Sequence, residues 1–325
     1  MGNKFVQKHK IAVIIPTYKS KNHILDVISK IGSEVSRIYI IDDFCPEMTG
    51  DFVIENCTDD RVFVIKHLEN KGVGGAVMTG YQIAIKDEMD ILVKIDSDGQ
   101  MDPSLILDFV MPIIFNEADY TKGNRFYDFE KVKFMPKIRL FGNAALSLLC
   151  KLSSGYWSIF DPTNGYTAIH AEVASNLPFN KISQRYFFET DMLFRLNTFR
   201  AVVVDIPMSA IYGNEVSNMK INKIFIEFSL KHLRNFIKRI LYNYYIRDMS
   251  LASIELPLGL ALFVFGVIYG GYHWIHSAKV GISTPIGTVM LSVLPIIIGI
   301  QFLLGFIGYD TSIKPTRPIH KNVRK

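Results

Sequence analysis

The 325-residue sequence contains few cysteines, and its three are widely spaced. Cys45, Cys57 and Cys150 include no Cys-x-x-Cys pair, so the sequence predicts neither a disulfide framework nor a zinc site, and we expect reduced thiols. The segment Met1 to Val6 lacks the apolar region of a signal peptide and the Ser or Thr at position six that favours myristoylation. No cleaved leader or lipid anchor is therefore expected.

Charged residues are absent from two long stretches near the end of the chain. Residues 256–278 and 280–309 contain no Asp, Glu, Lys or Arg. Each stretch exceeds the roughly 20 residues that cross a hydrocarbon core of about 30 Å. Buried helices of a soluble core are the alternative, but such runs rarely continue uncharged for this length. The pattern predicts two transmembrane helices.

Basic residues exceed acidic ones, giving a formal net charge of +5, and the excess borders the apolar stretches. Residues 220–247 hold seven Lys or Arg against the single acid Glu227, and the tail after Asp310 is basic with no acid. We therefore expect an integral membrane protein. The positive-inside rule places both termini and the polar portion in the cytoplasm and the loop at 277–284 outside. No nucleic-acid partner is expected, because the basic residues flank a membrane hairpin and no nucleic-acid-binding motif accompanies them.

Apolar runs of strand length alternate with helical patterns over the first hundred residues. Strands are predicted at 11–15, 38–41, 62–65 and 91–95, and helices at 23–31 and 75–85. This alternation predicts an α/β fold with a Rossmann-like, mostly parallel sheet, in which ligands bind beyond the carboxyl ends of the strands. Seven chemically suited residues fall at those ends: Pro16, Thr17, Tyr18, Asp42, Asp43, Asp96 and Asp98.

Two carboxylates follow the fourth predicted strand in the segment Asp96-Ser97-Asp98-Gly99-Gln100. Mg²⁺ and Mn²⁺ prefer oxygen ligands and keep open positions that substrate phosphates fill. A solvated turn is the alternative for Ser-Asp-Gly. The position of the pair at a strand end favours a metal-bridged diphosphate, and hence a nucleotide-activated substrate.

Residues 221–245 have a helical pattern with an apolar row beside a basic row. The pattern predicts a helix in the membrane surface, with an ordinary amphipathic helix packed on the domain as the alternative. The resulting division is a catalytic domain over 1–219, an amphipathic juxtamembrane helix region over 220–250, a two-helix transmembrane hairpin over 251–310 and a basic cytoplasmic tail over 311–325.

Five motifs taken together resemble glycosyltransferase family two, and more closely its polyprenyl-phosphate glycosyltransferases. They are Ile15-Pro16-Thr17-Tyr18, Ile41-Asp42-Asp43, Asn70-Lys71-Gly72-Val73-Gly74-Gly75-Ala76, Asp96-Ser97-Asp98-Gly99-Gln100 and Gly123-Asn124-Arg125-Phe126. The resemblance covers roughly residues 10–215. It implies a GT-A fold, a nucleotide-sugar donor, a divalent metal, and inverting transfer to a lipid phosphate. Anchored members also suggest self-association as a homo-oligomer.

The resemblance assigns donor-binding residues. Pro16, Tyr18 and Asp42 or Asp43 are expected to hold the base and ribose, although capping and turn chemistry ahead of Thr49 is an alternative for the two acids. Backbone N–H groups of the glycine run, at Gly72, Gly74 and Gly75, are expected near a phosphate. Asp96, Asp98 and Gln100 are expected to bind the metal and the donor diphosphate.

Acceptor and sugar contacts follow from the same resemblance. Arg125 resembles the arginine that binds the acceptor phosphate, and Arg139 is expected as a second clamp, with an exposed helix residue as its alternative. Asp161 is expected in the sugar pocket, with a turn as its alternative. Glu189 and Asp191 are expected to contact sugar hydroxyls or orient the arginines.

The function predicted is metal-dependent transfer of one sugar to a polyprenyl phosphate, with a UDP-hexose favoured and GDP-mannose the other donor. Polymerisation is disfavoured, because the Gln-x-x-Arg-Trp signature of processive synthases is absent and Gln184-Arg185-Tyr186 has the wrong spacing. Two alternatives stay open. One is transfer to a hydroxyl with Asp191 as base, and the other is a non-catalytic membrane partner of a sugar-lipid flippase.

Overall fold

The computed structural model describes residues 8–127, 137–209 and 221–321, without the side chains of residues 137–141 and 221–225. A seven-stranded sheet has the order β3-β2-β1-β4-β6-β5-β7. Only β6 runs antiparallel to its neighbours β4 and β5, and the other pairs are parallel. The strands are β1 (Ile11–Thr17), β2 (Arg37–Asp42), β3 (Val62–Lys66), β4 (Ile91–Lys94), β5 (Tyr120–Asn124), β6 (Thr167–His170) and β7 (Val203–Pro207).

Helices connect these strands and cover both faces of the sheet. They are α1 (Ile24–Ser29), α2 (Thr49–Asn56), α3 (Gly72–Lys86), α4 (Ile106–Ile114), α5 (Lys137–Ser154), α6 (Ala171–Ser175) and α7 (Phe188–Thr198). The four predicted strands and the two predicted helices are confirmed, with boundaries that differ by a few residues. The mostly parallel α/β architecture is confirmed with them.

Strand β1 explains why the sequence shows continuous apolar runs rather than alternation. Ile11, Val13 and Ile15 pack in one hydrophobic core cluster, whereas Ala12 and Ile14 pack in the other. Successive side chains of a strand point to opposite faces, so a strand covered on both sides is apolar throughout. Strands β1, β2 and β4 pair in parallel, and their carboxyl ends therefore lie at the same edge of the sheet.

The chain divides into two compact units, residues 1–236 with 315–325, and residues 237–314. Helix α8 (Ile221–Leu241) begins in the first unit and is followed by a π-helical turn, Tyr242–Arg247. The second unit contains α9 (Leu251–Val280) and α10 (Ile286–Ser312), which have mean hydropathies of 2.2 and 2.4 over their most apolar windows. Both helices are long and apolar enough to cross a membrane.

Close packing joins the two apolar helices. The Ser292 hydroxyl donates to the backbone carbonyl of Gly266 at 2.9 Å. A Cβ atom at Gly266 would lie 2.6 Å from the Ser292 carbonyl oxygen, so only glycine permits this approach. Small residues at a helix crossing let the two backbones come together, as in many membrane helix pairs.

The segment after α10 returns to the first unit, and we name residues 315–321 the C-terminal strap. The Asp119 carboxylate, fully buried before β5, accepts the backbone N–H groups of Ile319, His320 and Val202. The His320 ring hydrogen-bonds Asp119 at 2.6 Å and stacks on His170 with centroids 4.4 Å apart. The strap is therefore integral to the folded first unit, and the residue division predicted for the domains stays a prediction.

Candidate active site

The two carboxylates of the Asp-Ser-Asp motif lie in the loop that follows β4. Asp98 Oδ1 accepts the backbone N–H of Gln100 at 3.0 Å, and Gly99 adopts a φ of +77° that turns the chain between them. This left-handed conformation favours glycine. Asp96 Oδ1 lies 2.6 Å from the ammonium of Lys94. The structure thus gives Gln100 a backbone contact with Asp98, and its role as a metal ligand stays a prediction.

The donor set at this loop fits a hard divalent cation. Among the residues that the structure describes, no three His, Cys, Asp or Glu side chains form a ready metal cluster. A pair of carboxylates that leaves coordination positions of the ion open is nevertheless the arrangement in which Mg²⁺ is held partly by protein and partly by substrate phosphates. Asp96 and Asp98 are the residues that would hold such a cation together with a diphosphate.

Two buried lysines beneath this loop were not predicted from the sequence. The side chains of Lys94 and Lys122 are almost fully buried, and Lys122 donates to the carbonyl oxygen of Asn164. Glu189 faces Lys94, with 3.7 Å between Oε1 and Nζ. Burial raises the pKa of Glu189, and the two ammonium groups oppose that rise. The signal that could have revealed Lys94 is a charge inside an apolar strand next to an acidic motif.

The pKa values of the two lysines move in opposite directions. Burial acts to lower the pKa of Lys94, but the neighbouring Asp96 and Glu189 carboxylates outweigh it and the net shift is upward. Burial lowers the pKa of Lys122. A buried ammonium stays charged only when carboxylates compensate its lost hydration, and Lys94 has the closer partner.

Asp42 performs the capping role that was the alternative for it. Its Oδ1 accepts the N–H of Cys45 at 2.8 Å, and its Oδ2 accepts the N–H of Gly50 near the start of α2 at 2.6 Å. The carboxylate is 4% exposed. Both oxygens accept backbone N–H groups, as in a helix cap, and the contact predicted with a ribose or base stays a prediction.

Asp43 organises the glycine run instead of standing open to a ligand. Its oxygens accept the N–H groups of Lys71 and Gly72 at 2.8 and 2.7 Å, and Oδ1 also contacts His67. The N–H of Gly75 donates to the carbonyl oxygen of Gln184. This corrects the prediction that these backbone N–H groups bind a phosphate, because those of Gly72 and Gly75 already donate hydrogen bonds within the protein. Their donor-binding role stays a prediction that requires other atoms.

Pro16 and Tyr18 lie where β1 ends. Pro16 is buried in the strand opposite Ile41, and the Tyr18 ring is 49% exposed. Lys19, the next residue, donates its N–H to the thiol of Cys45. Tyr18 therefore presents a partly exposed ring at the edge of the sheet, and its predicted contact with a base stays a prediction.

Arg125 and Asp161 form a bidentate ion pair next to β5. Arg125 Nε and a terminal nitrogen lie 2.7 and 3.0 Å from the two Asp161 oxygens, and the Asp161 side chain is 1% exposed. A planar guanidinium held in this way is fixed in orientation while part of it stays open to solvent. Asp161 thus positions Arg125, a link that the sequence did not predict. Arg139 lies in α5, with its side chain outside the described residues.

Asp191 is placed as a structural residue. Its Oδ2 accepts the N–H of Ser183 at 2.9 Å, and its Oδ1 accepts the amide of Asn235 in α8 at 3.0 Å. The side chain is buried in α7. Both oxygens thus accept hydrogen bonds within the protein, and the contacts predicted for Asp191 with sugar hydroxyls or the arginines, like its alternative use as a base, stay predictions.

Asp205 in β7 gives a pH-dependent prediction. Its Oδ2 accepts from the Asn124 amide and the Phe160 N–H at 3.0 and 3.3 Å, and burial raises its pKa to about 6. The folded state then binds a proton more tightly than the unfolded state, so this group removes stability as pH rises from about 4 to about 6. Asp205→Asn should gain about 1–2 kcal/mol relative to the native chain over that window.

Thermal unfolding of both chains at pH 4.5 and 7.0 measures this change. Asp59 is the matched control, because its hydrogen bond to Arg61 lowers its pKa. It is therefore ionised in both the folded and the unfolded chain over this range, and the Asp59→Asn difference should hardly vary between pH 4.5 and 7.0. An Asp205→Asn difference that does not vary with pH would contradict the assignment.

Comparisons with known proteins agree with this architecture. A family model described as glycosyl transferase family 2 matches residues 12–187. The UDP-N-acetylglucosamine–dolichyl-phosphate N-acetylglucosaminyltransferase of Methanococcus voltae is 29% identical over 234 residues, covering 68% of this chain and 92% of the relative. The undecaprenyl-phosphate mannosyltransferase of Micrococcus luteus is 27% identical, covering 62% of this chain and 83% of the relative.

A solved structure shows the same fold at low sequence identity. Glucosyl-3-phosphoglycerate synthase from Mycobacterium tuberculosis, crystallised with Mn²⁺, uridine diphosphate and phosphoglyceric acid, is 17% identical. It covers 76% of this chain and 83% of that structure, with a TM-score of 0.56. This supports the predicted GT-A fold. The family model spans more than half of the chain, and the protein therefore belongs to glycosyl transferase family 2 and is a glycosyltransferase.

Proposed function

We propose that this protein transfers a single sugar from a nucleotide diphosphate donor to a polyprenyl phosphate, with inversion at the anomeric carbon. The observation that carries the proposal is the combination of a strand-end carboxylate pair, Asp96 and Asp98, with an oriented arginine, Arg125, in a chain that continues into two apolar helices. The relatives from Methanococcus voltae and Micrococcus luteus are named for dolichyl-phosphate and undecaprenyl-phosphate acceptors.

The acceptor chemistry fits a site without a general base. A phosphate monoester has a second pKa near 6, so it is largely dianionic at neutral pH and is already a nucleophile. In the proposed step an acceptor phosphate oxygen bonds to the anomeric carbon while the bond from that carbon to the donor diphosphate breaks, and the nucleoside diphosphate departs. Arg125, fixed by Asp161, would hold the acceptor phosphate oxygens in line.

Asp96 and Asp98 would carry a divalent cation, Mg²⁺ or Mn²⁺, at the donor diphosphate. When bound there, such a cation neutralises the negative charge that the departing diphosphate gains. The two carboxylates supply the oxygen ligands, and Lys94 supplies a fixed positive charge behind them.

A donor panel tests the proposed function. Purified full-length protein with Mg²⁺ or Mn²⁺ is incubated with polyprenyl phosphate and one radiolabelled donor at a time, covering UDP-glucose, UDP-N-acetylglucosamine and GDP-mannose. We expect one donor to give an organic-extractable labelled lipid, with a UDP-linked hexose first in order. No labelled lipid from any of these donors would count against the proposal.

We also propose that the catalytic unit and the segment after α10 lie on the cytoplasmic side, with the loop at residues 281–285 outside. The C-terminal strap supports this, because residues 315–321 belong to the same compact unit as the sheet. Segments that fold together lie on one side of a membrane, so α9 and α10 would cross it once each in opposite directions. The basic residues that flank the hairpin favour the cytoplasm for that side.

Cysteine labelling in intact cells tests this topology. In a background with the three native cysteines changed to serine, Ser283→Cys should react with a membrane-impermeant maleimide. Glu55→Cys on the catalytic unit and Thr316→Cys in the strap should react only after the cells are opened. All three positions are exposed in the structure. Labelling of Thr316→Cys from outside would contradict the proposed topology.

A further inference from the structure

We propose that Lys94 is a positioning residue: its buried ammonium holds one oxygen of Asp96 within the protein and leaves the other directed to the donor-bound cation. The proposal rests on the proposed function only through the assignment of Asp96 to a metal. Lys94 is the last residue of β4, two residues before Asp96, and the two elements it joins are a rigid strand and the loop that follows it.

The ammonium of Lys94 is held in place by its surroundings. Its side chain is 1% exposed, in a strand whose four residues are all buried. Nζ lies 2.6 Å from Asp96 Oδ1 and 3.7 Å from Glu189 Oε1. An ammonium removed from water needs carboxylate partners, and here the shorter contact is with Asp96.

Asp96 gains more from this contact than Lys94 does. Its side chain is 30% exposed and belongs to a loop, where a carboxylate without a partner has several rotamers available. The fixed ammonium selects one of them by binding Oδ1. A ligand whose orientation is already set loses less conformational freedom when a metal binds, which is why partners of metal ligands affect metal affinity.

Gly165 packs against both partners of the Lys94–Asp96 contact. A Cβ atom there would lie 2.7 Å from Asp96 Oδ2 and would clash with Lys94 Nζ. The backbone at Gly165 is outside the left-handed region, so the objection to a side chain is space rather than conformation. Gly165→Ala therefore disturbs the Lys94–Asp96 contact without removing either charge.

A simpler role for Lys94 is to balance the charge of Glu189, which is buried in the same cluster. The two roles predict different behaviour when Glu189 is neutralised. If Lys94 only balances charge, Glu189→Gln should compensate for the loss of the lysine. If Lys94 orients Asp96, the variant that lacks both charges still lacks the group that binds Asp96 Oδ1, and the defect remains.

Binding of Mn²⁺, measured by electron paramagnetic resonance of the free ion, separates these roles. Full-length protein in detergent is titrated with Mn²⁺ in the presence of UDP and, separately, GDP. We expect Lys94→Met to weaken Mn²⁺ binding by about 10-fold or more, the range seen when a partner of a metal ligand is removed. Gly165→Ala, whose Cβ would meet both Lys94 Nζ and Asp96 Oδ2, should weaken binding in the same direction. Lys94→Met combined with Glu189→Gln, which leaves no uncompensated charge in the buried cluster, serves if Lys94→Met alone does not fold.

Lys122→Met is the matched control, because Lys122 is equally buried but donates to the carbonyl of Asn164 instead of to Asp96. Its Mn²⁺ affinity should stay within about threefold of the native value. Recovery of native Mn²⁺ affinity in Lys94→Met combined with Glu189→Gln would overturn the proposal. So would native or tighter Mn²⁺ affinity in Lys94→Met alone, because tighter binding would mean that the ammonium mainly repels the cation.

The native protein distinguishes this failure from failure of the proposed metal role. If the native chain binds Mn²⁺ with nucleotide and Lys94→Met binds equally well, only the positioning role is wrong. If the native chain binds no Mn²⁺ with either nucleotide, the metal role of Asp96 and the positioning role of Lys94 are both wrong, while transfer measured by the donor panel remains a separate result.

Discussion

Asp98→Ala should reduce sugar transfer by at least about 10²–10³-fold in kcat/KM, because the proposed function has Asp98 hold the divalent cation that stabilises the departing diphosphate by several kcal/mol. The Asp98 carboxylate lies in the loop after β4, where its Oδ1 also accepts the N–H of Gln100. The loss should fall on the rate of transfer more than on folding, because the residue lies at the edge of the sheet. Initial rates at several donor concentrations measure it.

Asp102→Ala is the control for this prediction. Asp102 lies four residues further along, and its side chain accepts the N–H of Ser104 at the start of a short 3₁₀ turn. Its loss should change transfer by less than about 10-fold while costing roughly 1 kcal/mol of local stability, the typical value of a cap. Equal losses in the two variants would show that the loop as a whole, and not the Asp98 carboxylate, supports the reaction.

Asp310→Ala should destabilise the unit of residues 237–314 by about 3–5 kcal/mol, because it leaves a buried guanidinium without its carboxylate. Arg239 donates to both Asp310 oxygens at 2.6 and 3.0 Å, and the Tyr244 hydroxyl donates to Oδ1 at 2.6 Å. The side chains of Arg239 and Asp310 are 2% and 5% exposed. The loss should appear as a lower unfolding temperature of the detergent-solubilised protein.

Removing both charges should be much less damaging. Arg239→Met combined with Asp310→Leu should recover most of the lost stability, since buried ion pairs are often replaceable by apolar residues. The exposed pair Lys231 and Glu227 on the same helix is the control, and Glu227→Ala should cost less than about 1 kcal/mol. A double variant as unstable as Asp310→Ala would mean that the ion pair contributes to stability beyond the mutual neutralisation of its two charges.

The part of the fold that follows local rules could be predicted from the sequence. Apolar runs such as Ile11 to Ile15 are covered on both faces, and in parallel sheets the strand ends coincide at one edge. That is why the sequence alone places Tyr18, Asp96 and Asp98 at one edge of the sheet. The two apolar helices follow from length and composition in the same way.

Contacts between distant residues could not be predicted. Asp119 and His320 are 201 positions apart, and neither segment has a sequence pattern that predicts contact with the other. The roles of Asp43 and Asp191 depend on donors from other segments, the backbone of Gly72 and the amide of Asn235. A carboxylate at a strand end suits a ligand and a loop equally well, and only its tertiary donors decide between them.

The burial of Lys94 could not be predicted for a related reason. Lys94 interrupts an apolar run, and a single charge in such a run is usually taken as a strand end that faces solvent. In the structure Lys94 is buried because Asp96 and Glu189 compensate its charge. A charged residue within an apolar strand, next to an acidic motif, is here the sign of a buried ion pair.

The acceptor is the point on which the whole account depends, and one comparison tests it directly. The native protein, with the donor that the panel selects and with Mn²⁺, is given polyprenyl phosphate in one reaction and the matching polyprenol, which lacks the phosphate, in the other. The account predicts a sugar-phosphate lipid from the first and no product from the second, because the proposed function has Arg125 bind the acceptor phosphate and takes that phosphate, already dianionic, as the nucleophile. Transfer to the polyprenol at a comparable rate, or to neither lipid, would contradict it.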